Sequence, residues 1–579
     1  MTKQAKQRLR LIVTLFALAF SMVIARAVYI QVIQADALAA RAQGQQSSTV
    51  VIRTPRGEIR DRNGSVLAED VPAKDLWAHP TQVVDPSQTA SYLAQKLGYS
   101  LKHKKKLARE VKRLTALLTV PGVTSDLAQV RILHQLDPTV ADEIMAGHPP
   151  GLFLTDTVAR AYPANTVASQ LLGFVDDSDS GADGAGIEQQ YNGLLTGRSA
   201  KKLEIRGPGG ISLDSVTVRK PVAGHTITLT IDRSIQQKVQ SVLDATVRST
   251  RAHTATAIVL DPRNGEILAM ATAPSYDDNT VHDLSQYQFD RDSHNMAVEY
   301  SYEPGSTFKV VTFAAALTQG WLKPDTPFHN LPYKLKVGDR IIHDDVPRGP
   351  ISLTAAQILQ QSSNVGTVTI AEMVQKDPLY SWIRKWGFGR PTGIGLHEAD
   401  PAILPPDRWY SSSIGNIPIG QGIAVTPLQM AAMYSGIANG GVMVQPHVIK
   451  RISGEAPPKV PRRRVLSPAV DHTLVDMLKG VVDTAAGTGV RAQVPGYTVA
   501  GKTGTAQKAL AHGLGYSTRN YVASFVGFLP ADAPQVEVMV VVDSPRTNIF
   551  GGIVAAPAFQ QIASFLTKDL AIPPDRPVH

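Results

Sequence analysis

The chain opens on an almost unbroken apolar run. Leu11 to Ala25 carries no charge, Arg26 interrupts, and Ala27 to Ile30 continues the run. Crossing a bilayer takes about 20 apolar residues. With Arg26 at the interface, residues 11–32 predict one transmembrane helix. The preceding residues 1–10 hold four positive charges and no acid, which keeps that end cytoplasmic and places everything after the span outside. A cleaved signal peptide is the competing reading, because Ala37-Leu-Ala39 has the small-x-small form of a cleavage site. Gln31, Gln34 and Asp36 separate it from the apolar run, which favours an uncleaved anchor.

Between residues 45 and 220 the pattern is broken and turn-rich. Asn63-Gly64 lies between strand-like flanks and predicts a hairpin. Leu101 to Lys106 begins a charged stretch that reads as a solvated helix face. Arg160-Ala-Tyr-Pro163 precedes a helix-like run to Gly173, and glycines cluster at Gly181, Gly184 and Gly186. No nucleophile meets a base here. Turns, buried Arg–carboxylate pairs and packing account for the residues, so 45–220 reads as an extended, non-catalytic α+β module.

A boundary falls near Pro221. Thr226–Ile231 alternates as a strand, Ser234–Val247 has helical periodicity, and Thr256–Asp261 with Glu266–Ala271 forms a strand–turn–strand unit. Late strands follow at 497–501, 523–529 and 536–542, and 555–570 is an apolar helix. Strands at both ends of a helical middle predict one antiparallel sheet with helices packed on it, an α+β domain spanning 221–570. Residues 571–579 form a short, proline-rich tail.

Composition narrows the chemistry. The chain has no cysteine, which removes disulfides, thiolate nucleophiles and Cys-ligated metal. The 15 histidines include no His-Glu-x-x-His pattern, so no metal site is expected. A net charge of +9 allows attraction to anionic membranes or wall polymers. No nucleic-acid motif accompanies it.

The candidate chemistry starts at Tyr302-Glu-Pro-Gly-Ser306-Thr-Phe-Lys309. Proline and glycine stop what precedes, and an alanine-rich helix is expected to start near Ser306. Positions three apart share a helix face, so the Ser306 hydroxyl and the Lys309 amine can meet as nucleophile and base. Alone, Ser-x-x-Lys is an ordinary helix start. Two further stretches raise its weight: Ser362-Ser363-Asn364 after an apolar helix, and Lys502-Thr503-Gly504-Thr505 on a strand. Acyl transfer needs a base, a proton route to the leaving amine and an oxyanion site. Burial and a neighbouring cation, Lys502, would bring Lys309 towards neutrality. Ser362 can carry the proton, and Asn364 can hold both the lysine and a substrate amide. Thr503 and Thr505, with Lys502, can grip a carboxylate. Gly504 keeps the strand edge clear for an extended peptide. The backbone N–H groups of Ser306 and Thr505 are the candidate oxyanion donors.

Ser-x-x-Lys, Ser-x-Asn and Lys-Thr-Gly in this order are the signature of penicillin-binding proteins and class A β-lactamases. The chain resembles a class B penicillin-binding protein over nearly its whole length. Arg56-Gly57, Asp61-Arg-Asn-Gly64, Arg160-Ala-Tyr-Pro163 and Gly186-Ile-Glu-Gln-Gln-Tyr191 resemble the boxes of the family's pedestal. Asp261-Pro-x-x-Gly265 and Gly420-Gln-Gly422 through Gln429 resemble its transpeptidase domain. The resemblance implies a fold with helices on both faces of the antiparallel sheet and an elongated, dimerisation-like pedestal. It implies D-Ala-D-Ala stem peptides as donors, stem-peptide amines as acceptors, β-lactams as inhibitors acylating Ser306, and no cofactor. The motifs look most like the septal, cell-division branch, which works with a lipid-II glycosyltransferase and other division-complex membrane proteins. The elongation branch is the alternative. A β-lactamase would need a deacylating Glu-x-x-Leu-Asn glutamate, and Glu372, Glu398 and Glu455 stand in other contexts. A β-lactam sensor would need an output domain that ten N-terminal residues cannot supply.

Overall fold

A computed structural model describes residues 3–35, 47–52, 54–99, 104–119, 129–175, 184–206, 212–399, 401, 403–510 and 515–577. Ala37-Leu-Ala39, Leu101-Lys-His103 and Gly181 lie outside them. The chain forms two compact units, and it crosses between them repeatedly. One comprises Met1–Pro55, Val71–Ala159 and Gly197–Gly224; the other comprises Arg56–Asp70, Arg160–Thr196 and His225–His579.

In the first unit, a helix over Lys3–Ile33 contains an 18-residue stretch with a mean hydropathy of 2.3 and is long and apolar enough to cross a membrane. Strands Ser47–Ile52, Ala200–Arg206 and Ser212–Arg219 form a three-stranded sheet. Helix Pro86–Lys96 is capped by Asp85 and packs with Lys104–Leu118 through Ala90, Leu93, Leu114 and Leu118.

The second unit is built on a five-stranded sheet. Its strands are β1 (Thr254–Leu260), β2 (Ile267–Ala273), β3 (Ala500–Ala509), β4 (Tyr516–Leu529) and β5 (Val536–Asp543). They run antiparallel in the order β2-β1-β5-β4-β3, so both chain ends contribute and β3 is an edge. Alternate side chains enter two different cores, as the two-residue period of a strand requires. Ala257, Val259, Val538 and Val540 meet Ile235, Val239 and Leu243 of α1 (Arg233–Thr250) on one face. Ile258, Leu260, Met539 and Val541 face the core that holds α2 (Lys309–Thr318). The same core holds α3 (Ala355–Gln360), α4 (Asn364–Val374) and α5 (Lys376–Lys385). It also takes in α6 (Pro427–Ala438) and α7 (Pro468–Asp483). The helix α8 (Ala556–Asp569) returns to the first face through Phe559, Ile562 and Leu566. Every residue of α6 is buried, as expected of a helix that is apolar all round.

Several local expectations shift. The Asn63-Gly64 hairpin forms, with Asp61 Oδ1 accepting from Asn63 and Ser65 N–H at 2.9 and 2.7 Å. The run from Pro163 to Gly173 yields only the short helix Ser169–Leu172. The Lys-Thr-Gly strand begins at Ala500, not at 497, because Val494 and Tyr497 close a small turn first.

Candidate active site

Pro304 and Gly305 do more than end the preceding segment. Residues Gly305–Phe308 form one 3₁₀ turn before α2 begins at Lys309. At three residues per turn, positions 306 and 309 lie nearly in line. Gly305 sits at φ +57°, and a Cβ there would come within 2.6 Å of the Thr505 carbonyl oxygen. Only glycine lets the turn approach β3 this closely. The turn is then pinned by Gly305 N–H donating to Gly420 O at 3.0 Å and by the Tyr434 hydroxyl donating to Thr307 O at 2.8 Å. Ser306 is partly exposed at the mouth of a cleft of about 1030 Å³, lined also by Asn364, Gln421, Thr505, Tyr516 and Phe550.

Lys309 and Lys502 are both fully buried, and they converge on one hydroxyl. Ser362 Oγ lies 3.2 Å from Lys309 Nζ and 2.9 Å from Lys502 Nζ. Lys309 also donates to Asn364 Oδ1 at 2.7 Å and to the Ser362 carbonyl. The backbone that presents Ser362 is strained: its φ is +58°, a region few non-glycine residues occupy. The strain is held between α3, capped by a Thr354–Gln357 box, and α4, capped by Ser363. Burial lowers the Lys309 amine to about 8, against an upward pull from Asp345 and Asp344. Burial and then the Lys309 charge push Lys502 well below its usual range. Both amines are thus displaced towards the neutral form, burial being the first cause in each.

The strand residues divide their work differently from the expected clamp. Thr505 lines the cleft. Thr503 is buried, and its hydroxyl meets Thr488 Oγ1 at 2.6 Å. Gly504 does not face open space: a Cβ there would lie 2.9 Å from Thr307 Cγ2 and 3.0 Å from Pro304 O. Its missing side chain makes room for the Ser306 turn. An open edge for an extended peptide is not what glycine supplies at this position.

Residues 255–564 match the penicillin-binding protein transpeptidase domain, and residues 51–229 match the penicillin-binding protein dimerisation domain. The chain belongs to the class B penicillin-binding proteins. It is 34% identical to penicillin-binding protein PbpB of Mycobacterium tuberculosis, across 94% of this chain and 82% of that protein. It is 30% identical to the peptidoglycan D,D-transpeptidase FtsI of Escherichia coli, across 96% of this chain and 91% of that protein. Among solved structures, penicillin-binding protein 3 of Mycobacterium tuberculosis complexed with aztreonam superposes with a TM-score of 0.69 at 28% identity. That match covers 91% of this chain and 99% of the other.

Two carboxyl groups of this penicillin-binding protein site have roles that the sequence motifs do not reveal. Asp344 Oδ1 accepts the N–H groups of Asn364 and Val365 at 2.7 and 3.1 Å and the Ser363 hydroxyl at 3.0 Å. Arg348 holds its other oxygen. Asp344 thus anchors the turn that carries Ser362 and Asn364, from a loop with no periodic signal. Glu303 lies inside the quoted Ser306 motif but drew no role. Its Oε1 accepts from Gly422 N–H and the Tyr516 hydroxyl, both at 3.1 Å, while Oε2 is buried without a partner. Burial raises its pKa to about 7 against those two donors.

Elsewhere, His472, Asp476 and Asp532 offer a metal-like grouping on the surface. The Lys479 ammonium already bridges Asp476 and Asp532 at 2.6 and 2.8 Å, occupying the place of a cation. The buried Arg–carboxylate pairs expected near the N-terminal boxes are present. Glu188 receives Arg56 at 2.6 Å and Arg160 at 2.7 Å, and Arg160 reaches Asp70 at 3.0 Å.

Proposed function

We propose that this chain is a peptidoglycan D,D-transpeptidase of septal wall synthesis, with Ser306 as nucleophile. The observation that carries the reading is the shared Ser362 hydroxyl, 3.2 Å from Lys309 Nζ and 2.9 Å from Lys502 Nζ. Ser306 Oγ attacks the carbonyl of the penultimate D-Ala, and Lys309 takes the serine proton. The donor's carboxylate favours a charged Lys502, which leaves the lone pair on Lys309. The tetrahedral oxyanion is held by the backbone N–H groups of Ser306 and Thr505; removing one such donor typically costs about 3 kcal/mol. The proton moves through Ser362 to the departing D-Ala amine as the C–N bond breaks. An acceptor amine then attacks the Ser306 ester, forming the cross-link and restoring the hydroxyl. Asn364 orients Lys309 and the donor amide, Thr505 serves the carboxylate with Lys502, and Thr503, hydrogen-bonded to Thr488 and 3.4 Å from Lys502 Nζ, holds that lysine in place.

The acyl-enzyme waits for an amine because, among the described residues, no glutamate is placed to activate water. Glu372, Glu398 and Glu455 do not line the cleft. Glu303 Oε1 already accepts two hydrogen bonds, and its Oε2 is closed to solvent. Residues 11–32 anchor the chain with residues 1–10 in the cytoplasm, and the region from 45 to 220 is a pedestal that meets division-complex partners, a glycosyltransferase among them. The apolar helix Lys3–Ile33 and the likeness to FtsI support that placement. The test is cross-linking of stem peptides in a reconstituted assay. Ser306→Ala is expected to abolish it, and retained cross-linking would show the nucleophile to be another residue.

A further inference from the structure

A second concavity, of about 470 Å³, lies apart from the Ser306 cleft in the same compact unit. Arg384, Lys385, Arg390, Arg462 and Arg463 line it, and no carboxylate does. Part of this charge has a structural use, because basic groups suit the C-terminal end of a helix. Arg384 Nη1 donates to Phe388 O and Gly389 O at 2.9 and 2.8 Å beyond the end of α5. Arg463 donates to Lys385 O. The rest has none. Among the described residues, the side chains of Arg390 and Arg462 make no hydrogen bond or ion pair. The Lys385 ammonium lies 4.2 Å from the Trp382 ring centroid and has no carboxylate. The nearby Glu398 is turned to the N–H groups of Thr392 and Gly393 at 2.7 and 3.0 Å. The wall also holds a buried Thr392 hydroxyl without a partner.

Five like charges in one concavity repel one another, and burial with the Arg390 charge lowers the Arg463 guanidinium. A single negative charge would leave most of that repulsion in place. Guanidinium forks match the paired oxygens of phosphate, and the volume falls in the range of small-molecule sites. Trp386, Met443 and Pro446 supply an apolar floor. We propose that this cleft binds a small phosphate polyanion, either a free diphosphate or consecutive phosphates of an anionic phosphodiester polymer. The proposal rests on none of the residues assigned to acyl transfer, so its failure leaves that reading intact.

Calorimetric titration of the full chain in detergent at physiological salt tests it, with inorganic pyrophosphate, orthophosphate and a short glycerol-phosphate oligomer as probes. Saturable binding of pyrophosphate, at least tenfold tighter than orthophosphate, is expected for a free diphosphate. Saturable binding of the oligomer alone assigns the site to a polymer. In either case the Arg390→Glu, Arg462→Glu double variant should lose at least tenfold in affinity, with its melting temperature and penicillin acylation unchanged. No saturable binding by any probe, or equal binding by the double variant, would overturn the proposal.

Discussion

Arg160 and Lys309 are buried cations of the same compact unit, and they meet opposite kinds of partner. Arg160 lies against Glu188 and Asp70, and Glu188 also receives Arg56. Two positive and two negative groups close on themselves. Burial pulls the Arg160 guanidinium down, but Glu188, Tyr162 and Asp70 more than restore it. Lys309 instead contacts a carbonyl, a hydroxyl and an amide oxygen. With no carboxylate in contact, burial prevails and the amine falls to about 8. Burial with a carboxylate preserves a charge and makes a structural cation; burial against neutral acceptors brings the amine towards the pKa that the proposed base needs.

Removing the carboxylate from the structural cluster should have the largest effect. Glu188→Gln leaves Arg56 and Arg160 short of a buried counter-charge, and breaking such a pair costs about 3–5 kcal/mol. Denaturant unfolding is expected to show that loss, while the folded fraction still reacts with penicillin at the parental rate. An unchanged midpoint would mean that the two arginines do not depend on Glu188.

The converse change supplies a carboxylate to the base. Asn364→Asp places one at the position now 2.7 Å from Lys309 Nζ, and an adjacent opposite charge shifts such a group by about 1–3 pH units. With Lys309 as the proposed base, the acylation rate is expected to rise with pH as its amine loses its proton. The variant should therefore react about a hundredfold more slowly at neutral pH, and its profile should move to higher pH. A slower variant with an unmoved profile would point to lost geometry alone.

Asp344→Asn keeps the shape of the anchor but loses its charge. The hydrogen bonds it accepts from the α4 N-terminus and Ser363 would weaken, at about 1–3 kcal/mol for a buried charge-assisted contact. Slower acylation with some loss of stability is expected, and stopped-flow penicillin binding beside a melting curve would measure both.

How far the sequence carried these features depends on what each motif encodes. Ser306, Lys309, Ser362, Asn364 and Lys502 were legible because their spacing survives in one dimension. Ile59, Leu67, Tyr162 and Ile187 enter the same core as Phe308, yet periodicity reports only that a side chain is buried, not in which core. The segments Arg56–Asp70 and Arg160–Thr196 thus fold with His225–His579, although a reading along the chain groups them with their neighbours in 45–220. Asp344 was silent for a related reason: its partners are backbone N–H groups at 364 and 365, which every sequence contains. Gly504 was visible as a motif letter, but its reason, contact with Thr307 and Pro304, needs the fold.

Glu303 gives the mildest test of the contrast, as a buried acid rather than a buried cation. Raised to about 7, it gains a negative charge as pH climbs through neutrality, with Oε2 lacking any donor. Glu303→Gln mimics the protonated form. A change of only a fewfold in acylation is expected at pH 6, together with loss of any step near pH 7 in the rate profile. A persistent step would assign it to another group.

The central claim is that Ser306 becomes acylated and then waits. Mass spectrometry of peptides from the penicillin-treated chain, sampled over hours, tests it most directly. The account requires a single penicilloyl adduct on the peptide carrying Ser306, undiminished after free penicillin is removed. An adduct on any other residue, or rapid release of penicilloic acid, would contradict it.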